Sequence, residues 1–87
     1  MNQEETSTYW YVYLLRCNDN SIYTGCTSNI KERIQRHKKG QVTYTSSRLP
    51  IKLITCIAFT NKYKAYDFEK YLKSGSGKAF AGKRLVC

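Results

Sequence analysis

Residues 10–27, WYVYLLRCNDNSIYTGCT, constrain the fold of this chain more than any other stretch. Asn18-Asp19-Asn20 is turn chemistry set between two runs rich in aromatic and β-branched residues, a pattern that reads as a β-hairpin. The first strand is expected over residues 9–17. Its two faces, Tyr9-Tyr11-Tyr13-Leu15 and Trp10-Val12-Leu14-Arg16, are both largely apolar, so the strand should be covered on both sides. The second strand is expected over residues 21–27. A loop of two or four residues would put Tyr13 and Tyr23 on opposite faces. A three-residue loop of Asn18, Asp19 and Asn20 pairs Cys17 with Ser21, Leu15 with Tyr23 and Tyr13 with Gly25. Both phenols then share a face, because side chains alternate with period two. A type I turn with Asn20 in the left-handed conformation supplies that loop. Gly25 opposite Tyr13 leaves space over the ring.

The rest of the chain builds around the hairpin. Residues 1–8 are polar and without periodicity, a tail expected to be disordered, followed by a single domain over residues 9–87. Ser28-Asn29 offers an N-cap for a helix over residues 30–39, closed by Gly40. Ile30 and Ile34 form its short apolar stripe, and Arg33 and His37, four apart, share an edge of it. Residues 41–49 are polar and read as a loop. Pro50 introduces a third strand over residues 51–59, where Ile51, Leu53, Ile57 and Phe59 alternate with Lys52, Ile54, Cys56 and Ala58. Thr60 or Asn61 caps a helix over residues 62–73, whose inward stripe is Ala65, Phe68 and Leu72, with Glu69 on the same side as Ala65. Gly75-Ser76-Gly77 should break that helix, and a last short helix over residues 78–85 should pack Phe80 and Leu85. The order ββαβαα predicts an α+β domain with a three-stranded, mostly antiparallel sheet flanked by helices.

Charge narrows the partners. Fifteen Lys and Arg stand against 6 Asp and Glu, a formal net charge of +9 in 87 residues, which favours nucleic acid over an anionic membrane surface. No apolar run is long enough to span a membrane. The four cysteines, Cys17, Cys26, Cys56 and Cys87, lack the paired close spacing of a zinc site and follow no secretory signal. Cys26 and Cys56 read as small apolar strand residues in a reducing, cytoplasmic compartment. Cys87 stands last, outside any prenylation box. Ser74–Ala79 (SGSGKA) imitates the end of a phosphate-binding loop, but Leu72 and Ala79 occupy positions that need Gly and Ser or Thr.

The better constellation is Tyr13, Tyr23, Arg33, His37 and Glu69. Tyr11-Val12-Tyr13 and Tyr23-Thr24-Gly25, followed by Thr27-Ser28-Asn29, Arg33 and His37, and then Glu69 within Phe68–Lys73, resemble the ordered motifs of the GIY-YIG nuclease superfamily, in its small single-domain form. The resemblance implies metal-dependent hydrolysis of a phosphodiester in DNA, with water attacking phosphorus in line and one Mg²⁺ or Mn²⁺ on the leaving side. Carried onto this chain, Tyr13 or Tyr23 orients or deprotonates the water, Arg33 binds the scissile phosphate, Glu69 ligates the cation and His37 assists. Tyr44 falls where the family places a further catalytic or DNA-contacting side chain. A fixed guanidinium and a hard cation suit a transition state that gathers negative charge on oxygen. One carboxylate suffices for Mg²⁺, which keeps several waters. A phenol at its ordinary value of about 10 is protonated at neutral pH; Arg33 and the cation are expected to lower it.

Each side chain also has a plainer role: strand aromatics for Tyr13 and Tyr23, a solvated basic edge for Arg33 and His37, an ion pair with Lys73 for Glu69. The sequence departs from the family pattern at Tyr11, where a glycine is expected, at Thr24, where isoleucine is, and in having no asparagine beyond Glu69. Lys31, Arg36, Lys38, Lys39, Arg48, Lys78, Lys83 and Arg84 are expected to hold the phosphate backbone, contacts that carry no base information. Low sequence specificity follows, with selectivity for branched or single-stranded structure, and RNA stays open as a substrate. The rival readings are a module that binds nucleic acid without cutting it, and a subunit whose protein partner supplies targeting.

Overall fold

Strand β1 (Trp10–Arg16) sits at the centre of the sheet because it has no polar face to offer water. Val12, Tyr13, Leu14 and Leu15 are all 0% exposed in the computed structural model, which describes residues 9–86. The expectations for residues 1–8 and for Cys87 lie outside the described residues. On either side β1 pairs antiparallel with β2 (Ile22–Thr27) and β3 (Lys52–Phe59), giving the order β2-β1-β3. The hairpin register is the one a three-residue loop imposes: Tyr13 opposes Gly25 and Leu15 opposes Tyr23. Cys17 N donates to Ser21 O at 2.9 Å, and Asn20 takes the left-handed conformation at φ +67°. Asp19 braces the loop by accepting from Ser21 N and Oγ at 3.0 and 2.6 Å.

The Trp10-Val12-Leu14 face carries the apolar core. Val12 and Leu14 cluster with Ala65 and Leu72 of α3 (Lys62–Leu72) and Ala81 of α4 (Gly75–Ala81). Phe59, Phe68, Ile54 and Leu85 close the margins. Asn61 starts α3 by accepting from Tyr63 N and Lys64 N at 2.8 and 3.1 Å. The expected stripe of Ala65, Phe68 and Leu72 then faces β1, and cutting a residue such as Leu72 back to alanine costs about 2–5 kcal/mol. The opposite, Tyr13 face meets α1 (Ile30–Lys38) through His37, with Asn29 as N-cap and Gly40 turning the chain at φ +75°.

Four local expectations are corrected. Residues 41–49 are not simply a loop, since they contain a short helix, α2 (Thr43–Ser46). Threonine and serine are weak helix formers, so tertiary contact decides this turn: Thr45 is fully buried with its hydroxyl on His37. The alternation along β3 changes phase, because a register shift opposite Leu14 and Leu15 turns Leu53 to solvent and brings Ile54 to the core. Cys56, read as a small apolar strand residue, is exposed on β3, while Cys26 is half-buried beside the core. Finally, α3 ends before Gly75 as expected, but the glycines at 75 and 77 lie inside α4, which starts ahead of the expected residue 78 and which Ser74 caps by accepting from Gly77 N at 3.1 Å. A Cβ at Gly77 would overlap the Tyr71 carbonyl, so this glycine permits α4 to abut the end of α3. A π-helical turn (Gly82–Val86) follows, tied to β3 where Thr55 Oγ1 donates to Leu85 O at 2.6 Å. Leu85 packs on the core as expected; Phe80 remains 38% exposed and leans on Tyr71.

The two glycines of α4 therefore separate under substitution. Gly77→Ala is expected to destabilise the fold by at least about 1–3 kcal/mol through overpacking against backbone. Gly75→Ala, whose Cβ meets nothing within 4 Å, should leave stability unchanged or raise it by about 0.4–1 kcal/mol. Urea denaturation of the pair against the parent chain checks both signs.

Candidate active site

Tyr13 is the anchor of the site. Its side chain is fully buried, and its hydroxyl lies 2.9 Å from His37 Nε2. The phenol reaches that point by passing over Gly25 on the neighbouring strand, where a Cβ would overlap Tyr13 Cζ and Oη. His37 arrives from α1, whose start is fixed by Asn29 Oδ1 accepting from Glu32 N at 3.1 Å. His37 Nδ1 lies 2.8 Å from Thr45 Oγ1, and that hydroxyl donates to Val42 O at 3.4 Å. With its single proton committed, Thr45 Oγ1 accepts from Nδ1–H. Nε2 is then the lone-pair nitrogen, and the Tyr13 phenol donates to it. The order of donors along this buried chain is Tyr13, then His37, then Thr45.

Tyr23 shares the Tyr13 face and packs within the same group. Its ring centroid is 6.2 Å from Tyr13, 5.0 Å from His37 and 5.6 Å from Tyr44. Arg33, one turn before His37, carries its charge to the same place. Its guanidinium acts on the Tyr13 phenol by hydrogen bond and by charge, and Nε is buried with no acceptor. Glu69 approaches from α3, against the other face of the sheet. Its carboxylate acts with Arg33 on both the Tyr13 phenol and the Cys26 thiol, so the two charges converge at the β2 edge around Gly25 and Cys26. The Glu69 side chain is 18% exposed and pairs with Lys73 Nζ at 3.0 Å. The i,i+4 pair foreseen as the plainer role of Glu69 is thus present within the site itself.

Burial sets the proton affinities. The Tyr13 phenol is pushed up to about 12, first by burial and then by the neighbouring Tyr23. Arg33 pulls it down as expected from sequence, but burial outweighs that pull, and Glu69 opposes it. Without a cation, Arg33 alone therefore does not bring about the expected lowering of this phenol. His37 is shifted below its ordinary value, first by burial and then by the positive charges of Arg33 and Arg36. A neutral imidazole facing a protonated phenol is the resting arrangement at neutral pH.

Tyr13, Tyr23, Arg33, His37 and Glu69 are thus brought together, with Tyr44 stacked at their margin. Arg48 is corrected from a phosphate contact to a brace. It pairs with Asp19 Oδ2 at 3.1 Å, donates to Tyr44 O, and lies 4.0 Å over the Tyr44 ring. The hairpin loop is thereby pinned to α2. Lys31, Arg36, Lys38, Lys39, Lys78, Lys83 and Arg84 are exposed, with Arg36 3.9 Å from Glu32. Thr45 is the site residue that sequence reasoning missed, since it lay unmarked in a polar segment; Lys73 was anticipated only as the i+4 partner of Glu69. Among the described residues no group of three His, Cys, Asp or Glu side chains can hold a metal. The donor set is one hard carboxylate, which fits a cation that brings its own waters and does not fit zinc.

This arrangement defines a small α+β domain with two phenols, a guanidinium and a carboxylate grouped at one sheet edge. The chain belongs to the GIY-YIG catalytic domain family, whose pattern matches residues 9–83. It is 45% identical over 64 residues to a UPF0213 protein of Clostridium perfringens, covering 72% of this chain and 69% of that one. A UPF0213 protein of Bacillus licheniformis is 41% identical over 75 residues, 85% and 76% of the respective chains. The solution structure of a UPF0213 protein from Bacillus halodurans superposes with a TM-score of 0.56 at 36% identity, covering 86% of this chain and 83% of that one. Among the described residues no helix is long and apolar enough to cross a membrane.

The lowered His37 value makes stability depend on pH with a definite sign. Between the folded value and about 6.5 the unfolded chain binds more protons, so stability rises with pH there. It is complete above that window and is lost progressively as the pH falls. The urea midpoint of the parent chain should drop between pH 7.5 and 5.5, and His37→Gln should show a shallower drop over the same interval.

Proposed function

We propose that the protein is a divalent-metal-dependent endonuclease that hydrolyses phosphodiester bonds in DNA with little sequence preference. The observation that supports this most is Arg33 Nε, a buried cationic donor with no acceptor, set among a phenol and a largely covered carboxylate. Buried donors are normally satisfied, and leaving one unpaired costs about 1–3 kcal/mol or more for a charged group. Arg33 as a whole is only half-buried, so the rest of its guanidinium can reach a phosphate oxygen and grip it without losing its charge.

Residue roles follow. Arg33 receives the scissile phosphate and faces the charge that develops on it. Glu69 would hold a divalent cation, which when bound supplies positive charge toward the leaving oxygen. Tyr13 does not serve as a phenolate. The phenol is closed to solvent in this structure; with the Tyr23 ring drawn back in the substrate complex, its oxygen accepts a proton from the attacking water as its own proton passes to His37 Nε2, so the phenol stays neutral throughout. The water oxygen bonds to phosphorus while the P–O bond to the leaving strand breaks; the leaving oxygen takes a proton from solvent, and His37 returns its own there after product leaves. Thr45 holds the His37 ring in the tautomer that can take the proton. Tyr23 packs beside both rings and covers them until substrate binds. The exposed cations on α1, α4 and the terminal turn hold the backbone, which is why base sequence is read weakly.

The Glu69–Lys73 ion pair favours a second reading, in which Lys73 permanently neutralises the carboxylate and the domain binds nucleic acid without cutting it. A cleavage assay on supercoiled plasmid, branched DNA and single-stranded DNA separates the two. Cleavage should require Mg²⁺ or Mn²⁺ and stop with EDTA. Glu69→Ala and Arg33→Ala should each lower the rate by about 10²–10³-fold, the usual loss for a transition-state charge contact. The rate should rise through the lowered His37 value and be flat above about pH 6.5. A tenfold gain per pH unit continuing above pH 8 would assign the base to a phenolate instead. DNA binding with no metal-dependent cleavage on any substrate sinks the nuclease reading.

A further inference from the structure

Next to the site, and not used by the chemistry above, lies a cavity of about 640 Å³. Its floor is apolar, built from Leu14, Leu72 and Ala81, and its wall includes Tyr23 and Tyr44. Lys73 and Lys78 stand among its lining residues, and no carboxylate does. Lys78 makes no ion pair with any described residue. The volume is that of a small-molecule site rather than of a packing defect, since ligand pockets run to about 300–1,000 Å³. An apolar floor, aromatic wall and cationic rim together match a nucleotide: a flat, weakly polar base for the interior and a phosphate for the lysines.

Position adds to composition. Tyr23 belongs both to the site and to the cavity wall, and Lys73 pairs with Glu69 while lining the same cavity. A strand whose phosphate lies at Arg33 and Glu69 therefore has its neighbouring nucleoside at the mouth of the cavity. A base paired within a duplex cannot enter without leaving its stack. We propose that this cavity receives one unpaired nucleobase of the substrate strand, with its phosphate on Lys78, so that nucleotides free of pairing beside the scissile bond are bound in preference to duplex. The proposal rests on nucleic acid being the substrate and deepens that reading. It also gives Tyr44 a place: its ring is covered by Arg48 at 4.0 Å and packed on Tyr23, so it serves as a fixed wall of the cavity rather than a free stacking platform.

The test uses the full chain, ¹⁵N-labelled, in EDTA so that no cleavage intervenes. The probes are a 5′-phosphorylated thymidine trinucleotide, the corresponding uridine ribotrinucleotide, and the same deoxy backbone carrying abasic residues. At least one base-bearing probe should shift the amides of Thr24, Ala81 and Gly82 and bind about ten- to a hundredfold tighter than the abasic backbone. Whichever of the two binds tighter names the sugar. Gly82→Phe places a ring at the cavity where an added Cβ meets nothing within 4 Å, and it should erase the preference for bases while the spectrum stays folded. Equal affinity for base-bearing and abasic probes overturns the proposal on the parent chain alone. So does a base preference that survives Gly82→Phe. Base binding without cleavage on any substrate leaves this cavity standing and removes the nuclease reading; cleavage without base preference does the reverse.

Discussion

The hydrogen-bond chain from Tyr13 through His37 to Thr45 is the constraint on which the rest of this structure turns. It is buried throughout, so each donor must meet an acceptor or cost stability. Meeting that condition fixes several elements at once. The hairpin loop must have an odd length for Gly25 to lie opposite Tyr13 and for Tyr23 to share its face. Residue 25 must lack a side chain for the phenol to cross β2. Helix α1 must begin at Asn29 for His37 to arrive at Nε2. The segment after Gly40 must fold back as α2 for Thr45 to reach Nδ1. None of these elements is strong alone; α2 is a single turn of weak helix formers, held by the contact it makes.

The same burial decides the chemistry. Arg33 favours the Tyr13 phenolate, yet burial wins, and the phenol holds its proton to about 12. The histidine is shifted the other way, toward neutrality. Shifts in these directions keep both groups neutral at rest, so the phenol gives the imidazole a hydrogen bond, and the proton follows only as the water's proton replaces it. The charges that do persist, Arg33 and Glu69, come from helices on opposite faces of the sheet, and both act on the Tyr13 phenol and the Cys26 thiol.

Much of this was legible in the residues. The hairpin register, the left-handed Asn20, the double burial of β1 and the caps of α1 and α3 all follow from local patterns. The grouping of Tyr13, Tyr23, Arg33, His37 and Glu69 came from the resemblance to the GIY-YIG superfamily; the residues alone put only the two phenols on one face and Arg33 beside His37. What escaped has a common cause: it depended on tertiary contact. Thr45 is one hydroxyl in a polar run, and nothing nearby marks it as the partner of His37. The β3 phase change arises from pairing with β1, not from the strand's own alternation. Gly75 and Gly77 mark the end of α3, but that they lie inside α4 shows only in its close approach to Tyr71. The rise in the Tyr13 value overrides the pull of Arg33, because the sequence shows charges and hides burial. Arg48, counted by its charge as a phosphate contact, is spent on Asp19 and Tyr44.

The central claim is that Tyr13 gives its proton to a neutral His37 whose other nitrogen is held by Thr45. Long-range ¹H–¹⁵N correlation of the His37 ring at pH 7.5 tests it most directly. The imidazole should be neutral, protonated at Nδ1, with Nε2 showing the shift of an acceptor nitrogen. A proton on Nε2, or an imidazolium at that pH, would contradict the direction of the chain and the proton path built on it.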